Sequence, residues 1–365
     1  MEERLTVKVP GKLMVAGEFA VLEPHERLFV MAVNKYVFTS IEGSRDHLLS
    51  LENFELYNLP WHFDGRRVHV STDDARISYV QRAMEVTFRY LVEQGYSIKP
   101  FTLSVRSELD DGAGKKYGLG SSAALVTSVV AAVLKHVAGE ADKEKVFKLA
   151  SITHVMIQGN GSGADIAAST YGGLLLYTSF QAEWLLELIE EHETMTEMLE
   201  ADWVYFSVKE TVFPSHIYPY VGWTGSPAST GDLVSNIRKL KIESPEKYKQ
   251  FIEHSRQAVN QLMVGIERDD EGIFMEGIHQ NRLALTQLGK DAHVAIDTPD
   301  LDRLSDIAIA LGGVGKFSGA GGGDCGFAFM QDAGKGSLLF KKWEEYGIKP
   351  LPLDVEYEGI SFISE

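Results

Sequence analysis

Leu5-Thr6-Val7-Lys8-Val9 alternates apolar and polar residues and stops at Pro10, and Phe101-Thr102-Leu103-Ser104-Val105 repeats the alternation. A period of two predicts half-buried strands at both places. Elsewhere the period lengthens. Tyr79 to Tyr96 carries apolar residues at helical spacing, Ala123 to Val137 reads as a nearly all-apolar central helix, and Lys143 to Ile157 as another. A glycine turn and a small-residue segment, Ala164 to Ser169, follow, and Gly172-Gly173 opens a strand from Leu174 to Thr178. Beyond Phe180 the pattern predicts an acidic amphipathic helix over Glu183 to Glu200 and a strand over Trp203 to Val208. Helices then follow near Ser229 to Leu240, Pro245 to Ile266, Glu271 to Leu288 and Leu301 to Leu311, and a strand, helix and strand come after Cys325. No repeat or low-complexity linker interrupts this order. The reading is an α+β protein of two halves, 1–190 and 191–365, with a soft boundary near 180 to 205.

Composition narrows the class. The 365 residues are 44% hydrophobic and 24% charged, as in an ordinary globular protein. A formal net charge of −17 argues against general binding to nucleic acid or anionic membranes, so an anionic ligand must be held by a local cluster of cations. The one cysteine, Cys325, excludes an intramolecular disulfide and a cysteine-based zinc site. Met1-Glu2-Glu3-Arg4 is charged, no apolar signal core stands behind it, and no run reads as a membrane span, so the expected compartment is the cytoplasm.

The chemistry concentrates in glycine-rich stretches. Lys115-Lys116-Tyr117-Gly118-Leu119-Gly120-Ser121-Ser122-Ala123-Ala124-Leu125 runs from a glycine-hinged loop straight into the apolar helix. Glycines let consecutive amides turn toward one anion while the helix aims its positive end there, which describes a phosphate cradle. The alternative is a strand-to-helix turn with a serine cap. Two better-known phosphate loops do not fit. A dinucleotide fingerprint would follow directly on a strand, whereas residues 110–116 intervene, and Gly315-Lys316-Phe317-Ser318 has Phe317 where a Walker loop needs Ser or Thr.

Three further places stand out. Pro10-Gly11-Lys12 sets a lysine at the end of the first strand, either as a solvated turn residue or as a charge held in a site. Gly159-Asn160-Gly161-Ser162-Gly163-Ala164-Asp165 puts an acid at a helix start, where the helix dipole alone would favour it. Lys316-Phe317-Ser318-Gly319-Ala320-Gly321-Gly322-Gly323-Asp324-Cys325-Gly326 has too many glycines for a turn. Their entropy cost implies backbone lying tightly against a ligand or another loop.

Taken in order, the Pro-Gly-Lys, Gly-Leu-Gly-Ser-Ser-Ala and Gly-Ala-Gly-Gly-Gly-Asp motifs resemble the three signatures of the GHMP kinase superfamily. Gly17-Glu18-Phe19-Ala20-Val21-Leu22-Glu23, Gly114-Lys115-Lys116-Tyr117 and Val221-Gly222-Trp223-Thr224 make the chain most similar to its phosphomevalonate kinases of the bacterial type. The resemblance implies a ribosomal protein S5 domain 2-like N-terminal domain and a C-terminal α+β domain, with the active site in the cleft between them. It implies ATP and Mg2+ as cofactors, phosphomevalonate and ATP as small-molecule partners, and a monomer or homodimer. By the same resemblance Lys12 and Asp165 fall on catalytic positions. Lys116, Gly118, Leu119, Gly120, Ser121, Ser122 and Ala123 would bind ATP, with Ser122, or failing it Ser121, on the metal. Lys12, Lys115, Ser162, Lys209, Ser229, Thr230, Gly319, Ala320 and Gly321 are the candidates for the acceptor. Mevalonate kinases place a metal-binding glutamate eleven residues before the aspartate, where this chain has His154, so mevalonate kinase or another small-molecule kinase stands as the alternative. A non-catalytic protein on the same fold is the alternative of another class.

Overall fold

The computed structural model describes residues 4–111, 114–226 and 230–364, without the side chains of 230–232 and 364. The first half holds strands β1 (Leu5–Ala16), β2 (Arg27–Gly43), β3 (Leu48–Leu51), β4 (Leu56–Phe63) and β5 (Val68–Val70), then helix α1 (Ser78–Glu93) and strand β6 (Phe101–Ser107). Helices α2 (Ser121–Ala138), α3 (Lys143–Gln158) and α4 (Ala164–Tyr171) follow, then β7 (Leu174–Thr178), α5 (Ala182–Glu191), α6 (Met195–Glu200) and β8 (Ser207–Thr211). The chain continues with β9 (Tyr218–Trp223), α7 (Thr230–Glu243), α8 (Pro245–Arg268), α9 (Glu271–Asp291), α10 (Pro299–Ala310) and β10 (Val314–Phe317). It ends with β11 (Cys325–Met330), α11 (Gly336–Glu345), β12 (Lys349–Leu351) and β13 (Ser361–Ser364).

One sheet runs β13-β1-β2-β6-β3-β4-β5, and β7 with β8 branches from β2. The fork exists because β2 is long enough to serve two partners: Val37–Gly43 pairs with β6 and Arg27–Met31 with β7. Register between β1 and β2 slips at Pro10/Gly11, where the proline has no N–H for the ladder. That irregularity turns Lys12 toward the loop before α2. The second sheet, β10-β11-β9-β12, is antiparallel throughout. β8 and β13 join the first sheet from beyond residue 190, so the two halves are interleaved.

Two sequence expectations change. The acidic helix over 183–200 is two helices, because Thr194 and Glu197 form a capping box that restarts the chain at Met195. The strand expected from Trp203 begins at Ser207. Trp203 is buried, its indole donates to the Met198 carbonyl (3.0 Å), and it packs edge-on to Phe147 and Phe180, so the apolar alternation there records a packed turn. A third expectation is also corrected: α2 is long and apolar enough to cross a membrane by length and composition. Val126, Val129, Val130 and Val133 are fully buried, and α2 packs on α1, α3, β1 and β2. Its apolar character is what a core helix needs.

Candidate active site

The three glycine motifs meet because each glycine leaves room for another. Gly11 lies where a Cβ would sit 2.8 Å from the Leu119 carbonyl oxygen, and the Lys12 amide donates to that same oxygen at 2.9 Å. Gly118, at φ 81°, abuts Asp324 so closely that a Cβ would come within 2.6 Å of the Asp324 Cβ. The Ser318 hydroxyl accepts from the Met14 amide at 2.8 Å, tying the third motif to β1. On the other side of β1, the Ser169 hydroxyl donates to the Pro10 carbonyl at 2.8 Å and holds α4, with Asp165 in its first turn, against the first motif.

At the centre of this convergence sits Lys12. It is buried, and its Nζ donates to the Gly118 carbonyl at 3.1 Å. Gly120 caps α2 at φ 77°, where a Cβ would stand 3.0 Å from Lys12 Cγ and 3.5 Å from Asp165 Cβ. The backbone of the loop, the ammonium stem and the carboxylate stem thus enclose one point. Asp165 Oδ1 accepts from the Ile166 amide at 3.0 Å, and the residue lines the cleft. Behind it the Tyr177 hydroxyl donates to the Ser162 carbonyl at 2.6 Å, and burial, reinforced by the nearby Asp165 charge, pushes that phenol well above its ordinary range. Tyr177 is therefore a fixed donor and not an acid for chemistry.

A cleft of about 420 Å3 opens at this point. Lys12, Lys116, Gly118, Gly120, Ser121 and Ser122 line it, together with Ser162 and Asp165. Gly319, Ala320 and Gly321 come from the third motif. The expected crowding of that motif is against other chain segments: a Cβ on Gly321 would strike the Ile296 carbonyl at 2.3 Å, while nothing lies within 4 Å of one on Gly319. Leu119 and Ala123 belong to the same loop, but their side chains are buried in the core.

Other candidates lie elsewhere. Lys209 is exposed on β8, opposite Leu176, because the chain adds that strand to the sheet's far edge instead of returning it to the loops. Lys115 is exposed and bonded through its amide to Asp111, outside the cleft lining. Ser229 lies outside the described residues, as does the side chain of Thr230. Sequence reasoning missed Arg238, a cleft cation on α7, which carries no motif around it. It also missed a second pocket of about 710 Å3 that shares Lys116, Ser121 and Ser122 with the cleft and is lined by Asn53, Phe54 and Tyr79. Those residues come from the β3–β4 connection and the first turn of α1, far in the chain from any glycine signature.

Glu18 lines the cleft and forms a buried ion pair with Lys316 of β10 at 2.5 Å. Lys316 is fully buried, which pushes its ammonium below its ordinary range against the opposing pull of Glu18. Asn281 completes the cage once its side-chain amide is oriented by its neighbours, which sets its nitrogen 3.1 Å from the second Glu18 oxygen and its oxygen 3.3 Å from the Gly17 amide. The donor set also bears on magnesium. Among the described residues no three His, Cys, Asp or Glu side chains cluster to hold a metal. The Ser122 hydroxyl, 3.4 Å from His154 Nε2, is a hard oxygen at the head of α2, which suits Mg2+, an ion that keeps waters and takes phosphate oxygens.

Comparison with known proteins agrees with the motif reading. The family described as GHMP kinases N terminal domain matches residues 78–173, and GHMP kinases C terminal matches 262–349. A phosphomevalonate kinase of Streptomyces sp. (strain CL190) is 34% identical, over 96% of this chain and 97% of the relative. A Lin0012 protein from Listeria innocua superposes with a TM-score of 0.93 at 35% identity, covering 99% of both chains. The Streptococcus pneumoniae phosphomevalonate kinase in complex with phosphomevalonate and AMPPNP superposes at 0.83, with 29% identity, 96% of this chain and 99% of that one.

Proposed function

This chain belongs to the GHMP kinases, and on that premise we propose that it transfers the γ-phosphoryl group of ATP to (R)-5-phosphomevalonate, giving the 5-diphosphate and ADP. The observation that carries the reading is the meeting of Lys12, the Gly118–Ala123 loop and Asp165 around Gly120. The full-length similarity to a phosphomevalonate kinase supports the choice of acceptor.

Phosphoryl transfer is mainly a matter of position and of neutralising charge on oxygens. The loop amides from Gly118 to Ala123 receive the donor phosphates, with Lys116 at the junction of cleft and second pocket, and that pocket takes the nucleoside. Mg2+, held by Ser122 with the phosphates, would draw charge from the β- and γ-oxygens. Lys12 faces both donor and acceptor. An oxygen of the acceptor phosphate forms the new bond to the γ-phosphorus as the bond to the β–γ bridging oxygen breaks, its electron pair leaving with ADP. The acceptor phosphate is largely ionised near neutral pH, so Asp165 has little proton to remove and acts chiefly by orienting the acceptor.

Two measurements test this. ADP release assayed in parallel with phosphomevalonate, mevalonate, galactose and homoserine is expected to favour phosphomevalonate over mevalonate at least tenfold, about 1.4 kcal/mol, through charge-assisted bonds that mevalonate lacks. Preferential turnover of mevalonate would refute the acceptor and leave the family standing. Separately, Ser122→Ala is expected to weaken magnesium-dependent nucleotide binding about tenfold while leaving metal-free binding unchanged, read by titration of a fluorescent ATP analogue. Equal losses with and without metal would remove Ser122 from the ion.

A further inference from the structure

The end of α2 far from the phosphate loop borders an open pocket of about 780 Å3. The whole of α2, about 27 Å of helix, separates the two, and the pocket shares no lining residue with the catalytic cleft. Three chain segments build it around that helix end. Gly95, at φ 83°, ends α1 and turns the chain back, with the Tyr96 amide donating to the Leu91 carbonyl at 2.9 Å. The turn after β2 is tied to the segment before β6 by the Ser44 amide, which donates to the Pro100 carbonyl at 3.2 Å. Arg45 and Lys99 are the chain neighbours of those two residues, so one backbone bond brings both cations to the same pocket. His136, in the last turn of α2, completes the wall, its ring edge-on to Phe101 with centres 5.3 Å apart.

Charge sets this pocket apart. The chain has 52 Asp and Glu against 35 Lys and Arg, and acids line its other large cavities. Glu18, Asp165 and Asp324 stand in the cleft, and Glu52, Glu55 and Asp110 in the pocket assigned to the nucleoside. No carboxylate lines this one. Glu42, Asp46, Glu93 and Glu140, the acids next to it in the chain, lie outside the lining. Glu93 is taken by the Met195 and Thr196 amides at 2.9 and 2.8 Å, and Glu140 faces Lys145 at 3.8 Å. Among the described residues no ion pair or hydrogen bond engages the side chain of Arg45 or of Lys99. Two unpaired cations on one wall repel each other, and a pocket lined by one sign of charge concentrates their field on the space it encloses. An anion completes such a site. We propose that this pocket binds a diphosphate group. A single carboxylate would meet one cation and leave the other unpaired. A diphosphate spreads its charge over two phosphorus centres, so the Arg45 fork can take one and the Lys99 ammonium the other, with the Ser97 hydroxyl as a neutral donor. The half-exposed Tyr96 ring and Val137 offer an apolar wall to whatever the diphosphate is attached to.

Lys99 reports the site directly. Its acetylation by acetic anhydride is followed residue by residue by mass spectrometry on the whole enzyme, with Lys341, exposed on α11, as the reference. Inorganic pyrophosphate and benzyl diphosphate are titrated separately, with ionic strength held constant by sodium chloride. At least one of them is expected to slow Lys99 acetylation fivefold or more in a saturable way and to leave Lys341 unchanged. The tighter of the two tells free pyrophosphate from a diphosphate ester as the ligand. Inorganic phosphate is expected to protect at least tenfold more weakly, because it cannot span both cations. Arg45→Gln is expected to remove most of the protection while kcat and both KM values stay within twofold, since Arg45 stands outside the cleft. Labelling of Lys99 no slower than in sodium chloride alone would mean that these ions only screen the surface, and would overturn the site. Protection that survives intact in Arg45→Gln would overturn it equally.

Discussion

Lys12→Ala is expected to lower kcat by at least about two orders of magnitude, the scale of losing one strong electrostatic contact to a transition state. The structure sharpens what else should change. Lys12 Nζ is bonded to the Gly118 carbonyl, so the variant also releases a brace on the phosphate loop, and a rise in the KM for ATP is expected beside the fall in kcat. A loss confined to the KM for ATP would make the lysine a loop brace only. Asp165→Asn keeps the Oδ1 that accepts from Ile166 and removes the charge. Lys12 and Asp165 share no hydrogen bond or ion pair in the structure; they meet across Gly120. Their effects on kcat are therefore expected to be nearly additive in the double variant, whereas residues acting as one unit would show little further loss. Parental kcat in both single variants, with circular dichroism unchanged, would remove both from the mechanism and favour a non-catalytic protein on this fold.

Much of this site was legible because phosphate chemistry leaves its mark on local sequence. Gly118, Gly120, Ser121 and Ser122 sit side by side in the chain and side by side on the cleft, so their spacing carried the information. The glycines of the third motif were readable as close approach, but not what they approach. Only the fold brings Ile296 against Gly321 and Asp324 against Gly118. Lys209 shows the limit of charge arithmetic. A chain of −17 needs local cations for a dianion, yet which lysine serves depends on the strand order, and β8 runs at the sheet's edge. Arg238 was invisible for the same reason, since it lies on a helix with no motif around it. At the level of elements, the long α1, α2, α3, α8 and α9 periodicities were plain. The strands β3 and β5, of four and three residues, gave no comparable signal, because so short an alternation does not outweigh the turns around it, and β4 buries only Trp61 of its eight residues.

The pair that joins the halves carries the second large expectation. Lys316→Met leaves Glu18 as a charge with 2% exposure and only Asn281 beside it, and is expected to destabilise the protein by about 3–5 kcal/mol. The reason is asymmetric: taking both charges out of water is roughly offset by their attraction, but removing one partner leaves the other's desolvation uncompensated. Glu18→Gln combined with Lys316→Met removes both charges at similar volume, and is expected to recover most of the loss in the urea midpoint. A double variant as unstable as the sum of the singles would show that each residue acts through separate contacts, Lys316 through its bond to the Phe317 carbonyl (2.8 Å) and Glu18 through Asn281. Glu18 lines the cleft from the turn after β1, and Lys316 stands two residues before Ser318, which is bonded to Met14. Loss of the pair therefore loosens the third motif from the first, and Lys316→Met is expected to raise the KM for the acceptor more than that for ATP, whose loop is braced separately by Lys12.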